Sequence, residues 1–224
     1  NNPEANYHGI TNHYSSYVEG AVVAVEALLL IGFAIPGYYT VKYDKIIDTS
    51  SDEIEVRVIA QQFAWNIHYP GLDGKFGITR ANLVNEEVNP IGLDREGSGA
   101  DDIVTLNQLH LPVDKLIKIY ISSKDVIHGF SLPEMRVKQD AVPGMQIPVY
   151  FTPTMTTNEF LQKMKGTSRE NMGYEIACAQ LCGNSHYRMK GYMTIHNEDE
   201  YNQWLLDEAE LLDSEGDDEW DDEW

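Results

Sequence analysis

Basic residues are scarce in this chain: 16 Lys and Arg stand against 36 Asp and Glu, a formal net charge of −20. Nucleic acids are held by clustered Lys and Arg, so this balance excludes nucleic-acid binding. Cysteine is scarcer still, with only Cys178 and Cys182 in 224 residues. A chain of this size with two cysteines is not a disulfide scaffold. Length allows one ordinary domain plus extras rather than two large domains. No internal repeat is present, and long apolar runs are lacking with one exception. The hydrophobic content of 42% is nevertheless enough for a real core, which excludes wholesale disorder.

The exception is Tyr17 to Val41, Y-V-E-G-A-V-V-A-V-E-A-L-L-L-I-G-F-A-I-P-G-Y-Y-T-V. Its apolar length of roughly 20 residues, about 30 Å as a helix, matches the hydrocarbon core of a bilayer. Tyr17 at one end and Tyr38 and Tyr39 at the other fit interfacial aromatic belts. Glu26 inside the span carries a cost of about 2.5–3.5 kcal/mol at the centre of a membrane helix, which favours contact with a larger membrane partner over lipid. Lys42 and Lys45 follow the span and by themselves favour that end inside. The chain opens on Asn rather than Met, which leaves room for a segment removed from its start.

From Glu53 the pattern turns to strands. E-I-E-V-R-V-I-A alternates, and Q-Q-F-A-W-N-I-H-Y is aromatic and β-prone. Strand-like runs recur at 103–106, 115–122, 126–131, 145–151, 173–178 and 189–196. Short strands broken by Pro and Gly point to an all-β, antiparallel sandwich or barrel. Residues 71–103, rich in Gly, Asn and acids, read as a long insertion, and 156–171 as a helical or loop insertion. A short amphipathic helix is expected after Glu198. Residues 207–224 hold eleven acids and no base, the composition of a solvated, poorly ordered tail that leaves −9 on the rest of the chain. The chain thus divides into an N-terminal segment 1–16, a transmembrane helix 17–41, a β domain 53–198, and a helix with its acidic tail 199–224.

Both cysteines sit in C-A-Q-L-C-G-N-S-H-Y-R-M, Cys178 to Met189. Alone, Cys-x3-Cys fits a disulfide, a zinc corner, a redox pair or a copper site. His186 and Met189 follow on the same turn-rich path, and His128 in D-V-I-H-G-F-S-L-P ends a strand fifty residues before Cys178. Thiolates, imidazoles and a thioether form a soft donor set suited to copper electron transfer, and a zinc site would gain nothing from Met189. His8, His13, His68, His110 and His196 read as ordinary histidines.

D-V-I-H-G-F-S-L-P-E-M, V-K-Q-D-A-V-P-G-M and the cysteine stretch closely resemble the binuclear copper (CuA) domain of cytochrome c oxidase subunit II, bacterial type. The likeness covers about residues 17–206, with insertions at 71–103 and 156–171. It implies a cupredoxin-like Greek-key β-sandwich carried by an N-terminal transmembrane helix. Cys178 and Cys182 would bridge two copper ions, His128 and His186 would bind one each, and Met189 and the Gln180 backbone carbonyl would be weak axial donors. Single electrons would pass from a cytochrome c, or a cytochrome-c-bearing partner complex, to haem in oxidase subunit I, where O2 is reduced to water with proton pumping. The domain would stand on the periplasmic face of the bacterial inner membrane, an orientation that overrides the lysine pattern.

Departures from the family pattern are equally specific. Gln180 replaces the Glu that binds magnesium at the subunit interface in many members, and a neutral amide is a weaker ligand for that hard ion. In Q-F-A-W, Phe63 replaces the first Trp of the family's Q-W-Y-W, the one that receives the electron, while Trp65 keeps the second, so Phe63 and Trp65 become the candidates for that step. Glu19 aligns with a carboxylate at the mouth of a proton path, whereas Glu26 has no family counterpart. Of the two membrane helices usual in the family, the one present resembles the second. No Cys-x2-Cys-His follows the domain, so no c-type haem is expected on this chain. The competing function is a membrane-anchored copper-insertion chaperone for an oxidase.

Overall fold

The computed structural model describes residues 2–5, 8–9, 12–40 and 53–217 and divides the chain into two units, Asn1–Ser50 and Ser51–Trp224. In the first unit α1 (Tyr14–Tyr38) is 25 residues long and apolar enough to cross a membrane. Its hydrogen bonding widens to π-helical over Leu30–Ala34, directly before Pro36. Proline has no N–H to return to the fourth residue behind it, and a π turn accommodates that gap. Val41, Lys42 and Lys45 lie outside the described residues.

The second unit builds ten strands: β1 (Ile54–Gln61), β2 (Ala64–Tyr69), β3 (Ile103–Leu106), β4 (Gln108–Pro112), β5 (Ile117–Ser123), β6 (His128–Leu132), β7 (Val137–Ala141), β8 (Ile147–Phe151), β9 (Tyr174–Cys178) and β10 (Lys190–His196). They form two five-stranded sheets, ordered β3-β2-β1-β5-β8 and β4-β10-β9-β6-β7. Alternation explains the sandwich. In β1, Val56, Val58 and Ala60 are fully buried while Arg57 and Ile59 face the other way, and β5 repeats this with Ile117, Ile119 and Ile121. Phe130 and Leu132 of β6 and Met193 and Ile195 of β10 meet them from the second sheet in one core. Each such side chain contributes roughly 1.5–3 kcal/mol on burial.

Two features depart from an all-antiparallel expectation. β1 pairs with β5, and β10 with β4, in parallel, because the chain visits the opposite sheet before returning beside an earlier strand. β4 and β7 escape the sequence pattern: β4 is short and ends at Pro112, and β7, V-K-Q-D-A, is a polar edge strand. Asn107 marks the crossing from β3 to β4. Its backbone is left-handed at φ 60°, and its side-chain Oδ1 accepts from the Trp65 amide at 2.8 Å. The residue that turns the chain thereby also ties the two sheets together.

Two helices pack on this sandwich. α2 (Thr157–Met164) starts in a capping box between Thr156 and Glu159 and buries Phe160 against Tyr174. α3 (Glu198–Asp217) starts with the reciprocal Asn197–Glu200 cap and runs 20 residues, farther into the acidic run than a short helix. Tyr201, Trp204, Leu205 and Leu212 recur at helical spacing on its inner side, and this packing extends it. Residues 218–224 lie outside the described residues. Trp204 stacks on His110 at 4.4 Å between centroids and meets Tyr69 edge-on at 5.0 Å. His110 in turn hydrogen-bonds His196 at 2.8 Å.

Burial, with His196 adding repulsion, pushes the His110 pKa from 6.5 down to about 4. Burial also lowers His196. A lowered histidine means that the unfolded chain takes up a proton before the folded one does. Stability is therefore full above pH 6.5 and falls as pH drops toward 4, by about 1.4 kcal/mol per pH unit for this one group. Urea unfolding of the purified chain should show a pH dependence across this window that His110→Gln makes shallower by about that slope. An unchanged slope would show that His110 is not held neutral by the helix.

Candidate metal centre

One end of the sandwich gathers donors from four places. His128 begins β6 rather than ending a strand and is fully buried, Cys178 ends β9, Cys182 lies in the following loop at 4% exposure, and Met189 precedes β10 at 1%. One ligand atom each from His128, Cys178 and Cys182 lies within 4.8 Å of the others. The two sulfurs are 3.7 Å apart, and both cysteines are free thiols. His128 Nδ1 is 3.2 Å from Met189 Sδ and 3.9 Å from Cys178 Sγ. His186 opens a 3-10 turn (His186–Arg188) that brings its Nδ1 within 3.6 Å of Cys182 Sγ. The Gln180 carbonyl is 3.1 Å from Cys178 Sγ, while the Gln180 residue itself is exposed.

The loop is held by backbone, not by side-chain packing alone. Ala179 donates to the Gly129 carbonyl at 2.8 Å, and Cys178 donates to Met189 at 3.3 Å. A Cβ on Gly129 would stand 2.8 Å from the Gln180 nitrogen, so only glycine admits the loop this close to β6. Gly183 has a φ of +133°, and a Cβ there would meet the Gln62 amide at 2.7 Å and the Phe63 ring at 3.1 Å. Gln62 uses that amide to donate to the Cys182 carbonyl at 2.6 Å.

Asp125 orients the buried histidine. Its Oδ1 accepts from His128 Nε2 at 2.8 Å and from the Val126 amide at 2.6 Å, and its Oδ2 accepts from the Gln62 amide at 2.7 Å. Burial alone would raise this carboxyl, but the hydrogen bonds from His128, Gln62 and Val126 outweigh it and hold it below its usual value. With Nε2 engaged, His128 turns Nδ1 toward the sulfurs. Burial, reinforced by Cys178, pushes the Cys182 thiol up to about 11. Two thiols, two imidazoles and a thioether, mostly shielded from water, fit a soft, redox-active metal such as copper and not a hard, oxygen-seeking cation.

Of the other sequence candidates, Trp65 is fully buried, edge-on to Phe130 at 5.4 Å and to His128 at 6.2 Å. Phe63 is half-buried beside the cysteine loop, within reach of Gly183. Glu19 lies on α1, in the other unit. Sequence reasoning missed Asp125 and Gln62. The signal for Asp125 was its place three residues before His128. Gln62 offered none, since its partner is 120 positions away.

Residues 54–196 match the family described as cytochrome c oxidase subunit II, periplasmic domain. An alternative cytochrome c oxidase subunit 2 of Bradyrhizobium diazoefficiens is 34% identical over 188 residues, covering 83% of this chain and 60% of that one. The cytochrome c oxidase subunit 2 of Thermostichus vulcanus is 25% identical over 179 residues, covering 80% and 41%. This chain thus spans less than two thirds of the length of either relative. The crystal structure of the periplasmic domain of cytochrome oxidase subunit II of Bradyrhizobium japonicum aligns over 73% of this chain and 98% of that one, at 22% identity and a TM-score of 0.49.

Asp125→Ala leaves the His128 ring without its orienting partner. Copper affinity should fall roughly 10–100-fold, read by competition with a chelator, while circular dichroism shows the strands retained. Affinity equal to that of the unaltered chain would show that Asp125 does not orient the ligand.

Proposed function

The chain belongs to the cytochrome c oxidase subunit II family, and from that membership we propose that it is the electron-accepting subunit of a haem-copper oxidase, with a binuclear copper centre on His128, Cys178, Cys182, His186, Met189 and the Gln180 carbonyl. The observation that carries the reading is the convergence of His128, Cys178 and Cys182 within 4.8 Å from two strands and a loop. Copper held by these residues would supply one-electron redox chemistry.

This chain's own residues supply rigidity and dryness. Asp125 fixes the tautomer and direction of His128, because a carboxylate only accepts and therefore keeps the proton on Nε2. Cys182, Met189 and His128 are buried, so water does not reorganise around them when charge changes. The ties from Gly129 and Gln62 hold the loop between the cysteines in one geometry. Trp65 packs against His128 and Phe130 from within the core, and Phe63 lies beside the same loop, which supports the β1–β2 hairpin as the path by which an electron from a cytochrome c donor would reach the site. Neither residue stands as an exposed Trp, and this favours a cytochrome c presented by a partner complex over a freely diffusing one. Oxidase subunit I would receive the electron on haem, reduce O2 and pump protons, with Glu19 of α1 at the mouth of a proton path. The apolar α1 would anchor the chain in the bacterial inner membrane, leaving the domain on its periplasmic face. Gln180, a neutral and exposed amide, is a weaker ligand for magnesium than the Glu of the family pattern, which argues against a magnesium ion at the subunit interface.

Electron paramagnetic resonance of the copper-loaded, oxidised chain tests the centre. One unpaired electron shared equally by two coppers is expected, and Cys182→Ser should abolish that sharing. A single isolated copper in the unaltered chain would favour the copper-insertion chaperone.

A further inference from the structure

The segment 71–103 folds over the outward face of the first sheet, and what it covers is chemically unusual. Alternation points Asn66 and His68 of β2 away from the core, yet both are fully buried. His68 pairs with Arg57 across β1 and β2, and Phe76 of the covering segment caps both, 4.0 Å from the guanidinium carbon and 5.1 Å from the imidazole. Behind His68 lies Asp102, also fully buried, whose Oδ2 accepts from His68 Nε2 and, at 2.7 Å, from the Gly77 amide.

Arg57 and His68 border a cavity of about 210 Å³ whose wall also includes Ser122 and Lys124, with the exposed Thr79 and Gln146 at its rim. Four buried polar atoms of these groups have no hydrogen-bond partner among the described residues, Nε of Arg57, Nδ1 of His68, Oδ1 of Asn66 and Oδ1 of Asp102, and of the four residues Arg57 and His68 line the cavity. A buried polar atom left unpaired costs about 1–3 kcal/mol, so a pair of them beside one cavity marks a place for a ligand. No carboxylate lines the cavity. Lys124 is itself engaged, with Glu86, Gln61 and the Pro90 carbonyl, whereas Arg57 has no hydrogen-bonded anion, although the charges of Asp102 and Glu55 act on it through space.

The unpaired atoms of the two lining residues ask for different things. Arg57 can only donate, so its Nε requires an acceptor, and the guanidinium charge favours an anionic one. His68 donates its Nε2 proton to Asp102, and burial, only partly offset by that carboxylate, lowers its pKa and keeps the ring neutral. Its Nδ1 is therefore a lone pair that requires a donor. We propose that this cavity binds a small oxyanion that still carries a proton, hydrogen phosphate or bicarbonate, with O⁻ on Arg57 and O–H on His68 Nδ1. Ser122, Thr79 and Gln146 also line the cavity and offer polar groups for the remaining oxygens. The site lies on β1, β2, the end of β5, the approach to β8 and the covering segment, and none of its residues belongs to the metal-donor cluster.

Sulfate has the shape and charge of phosphate but no O–H at neutral pH, so it separates this proposal from generic attraction to Arg57. With the copper-loaded full chain in detergent, the 15N shift of His68 Nδ1 is followed as inorganic phosphate, bicarbonate or sulfate is added. A saturable shift with phosphate or bicarbonate is expected, and whichever gives it identifies the ligand. Sulfate should bind at least about tenfold more weakly, a difference of about 1.4 kcal/mol. Arg57→Gln should remove binding while the copper signal is unchanged. If that variant does not fold, Val84→Trp, at the exposed rim, should block the cavity instead. Sulfate binding as tightly as phosphate, or no saturable shift with either protonated anion, would overturn the proposal and leave the copper assignment untouched.

Discussion

The hydrogen bond from the Ala179 amide to the Gly129 carbonyl is the constraint on which the donor cluster depends. It joins the cysteine loop to β6 next to His128, across a gap that admits no Cβ. Two further ties complete it. Cys178 donates to Met189 on one side, and Gln62 reaches the Cys182 carbonyl on the other. Each tie uses a backbone group that would otherwise be buried unpaired, so loosening the loop would cost hydrogen bonds as well as packing. A loop held in this way keeps its sulfurs and imidazoles in place whatever charge they share. That is the physical requirement for moving an electron without rearranging the site.

A second constraint operates on the opposite side of the first sheet. A sheet face left to water would expose Asn66 and His68, but the 71–103 segment covers them and traps a histidine–aspartate pair. Burying such a pair is seldom a net gain in stability, because desolvation offsets the attraction. Here the pair also positions a neutral imidazole at a cavity beside an arginine with no bonded counter-ion. The covering segment therefore shapes a polar recess remote in chemistry from the sulfur site.

The C-terminal helix shows packing overriding charge. Acidic residues crowd the end of α3, where the helix dipole disfavours them. Tyr201, Trp204, Leu205 and Leu212 nevertheless hold it, with Trp204 stacked on the His110–His196 pair. The same stack keeps His110 neutral, so the docking of a very acidic helix rests on uncharged aromatic contact.

By itself the sequence determined what spacing controls. Cys178, Cys182, His186 and Met189 lie within twelve consecutive residues, so any turn-rich path brings their donors together. Alternation in 53–60 and the strand-like run 115–122 announced the core strands β1 and β5, and the apolar run announced α1. What tertiary structure alone decided are the pairings between distant residues. The parallel partners β1–β5 and β4–β10, the polar edge strand β7, the Gln62 tie and the His68–Asp102 contact join positions far apart in the chain. Asp125 was close enough to His128 to be read, but its Gln62 partner lies 63 residues away. His68 looked ordinary because its meaning depends on a segment that folds over it from outside the strand. Local pattern reports which face a residue takes, whereas only the folded sheets report what waits on that face.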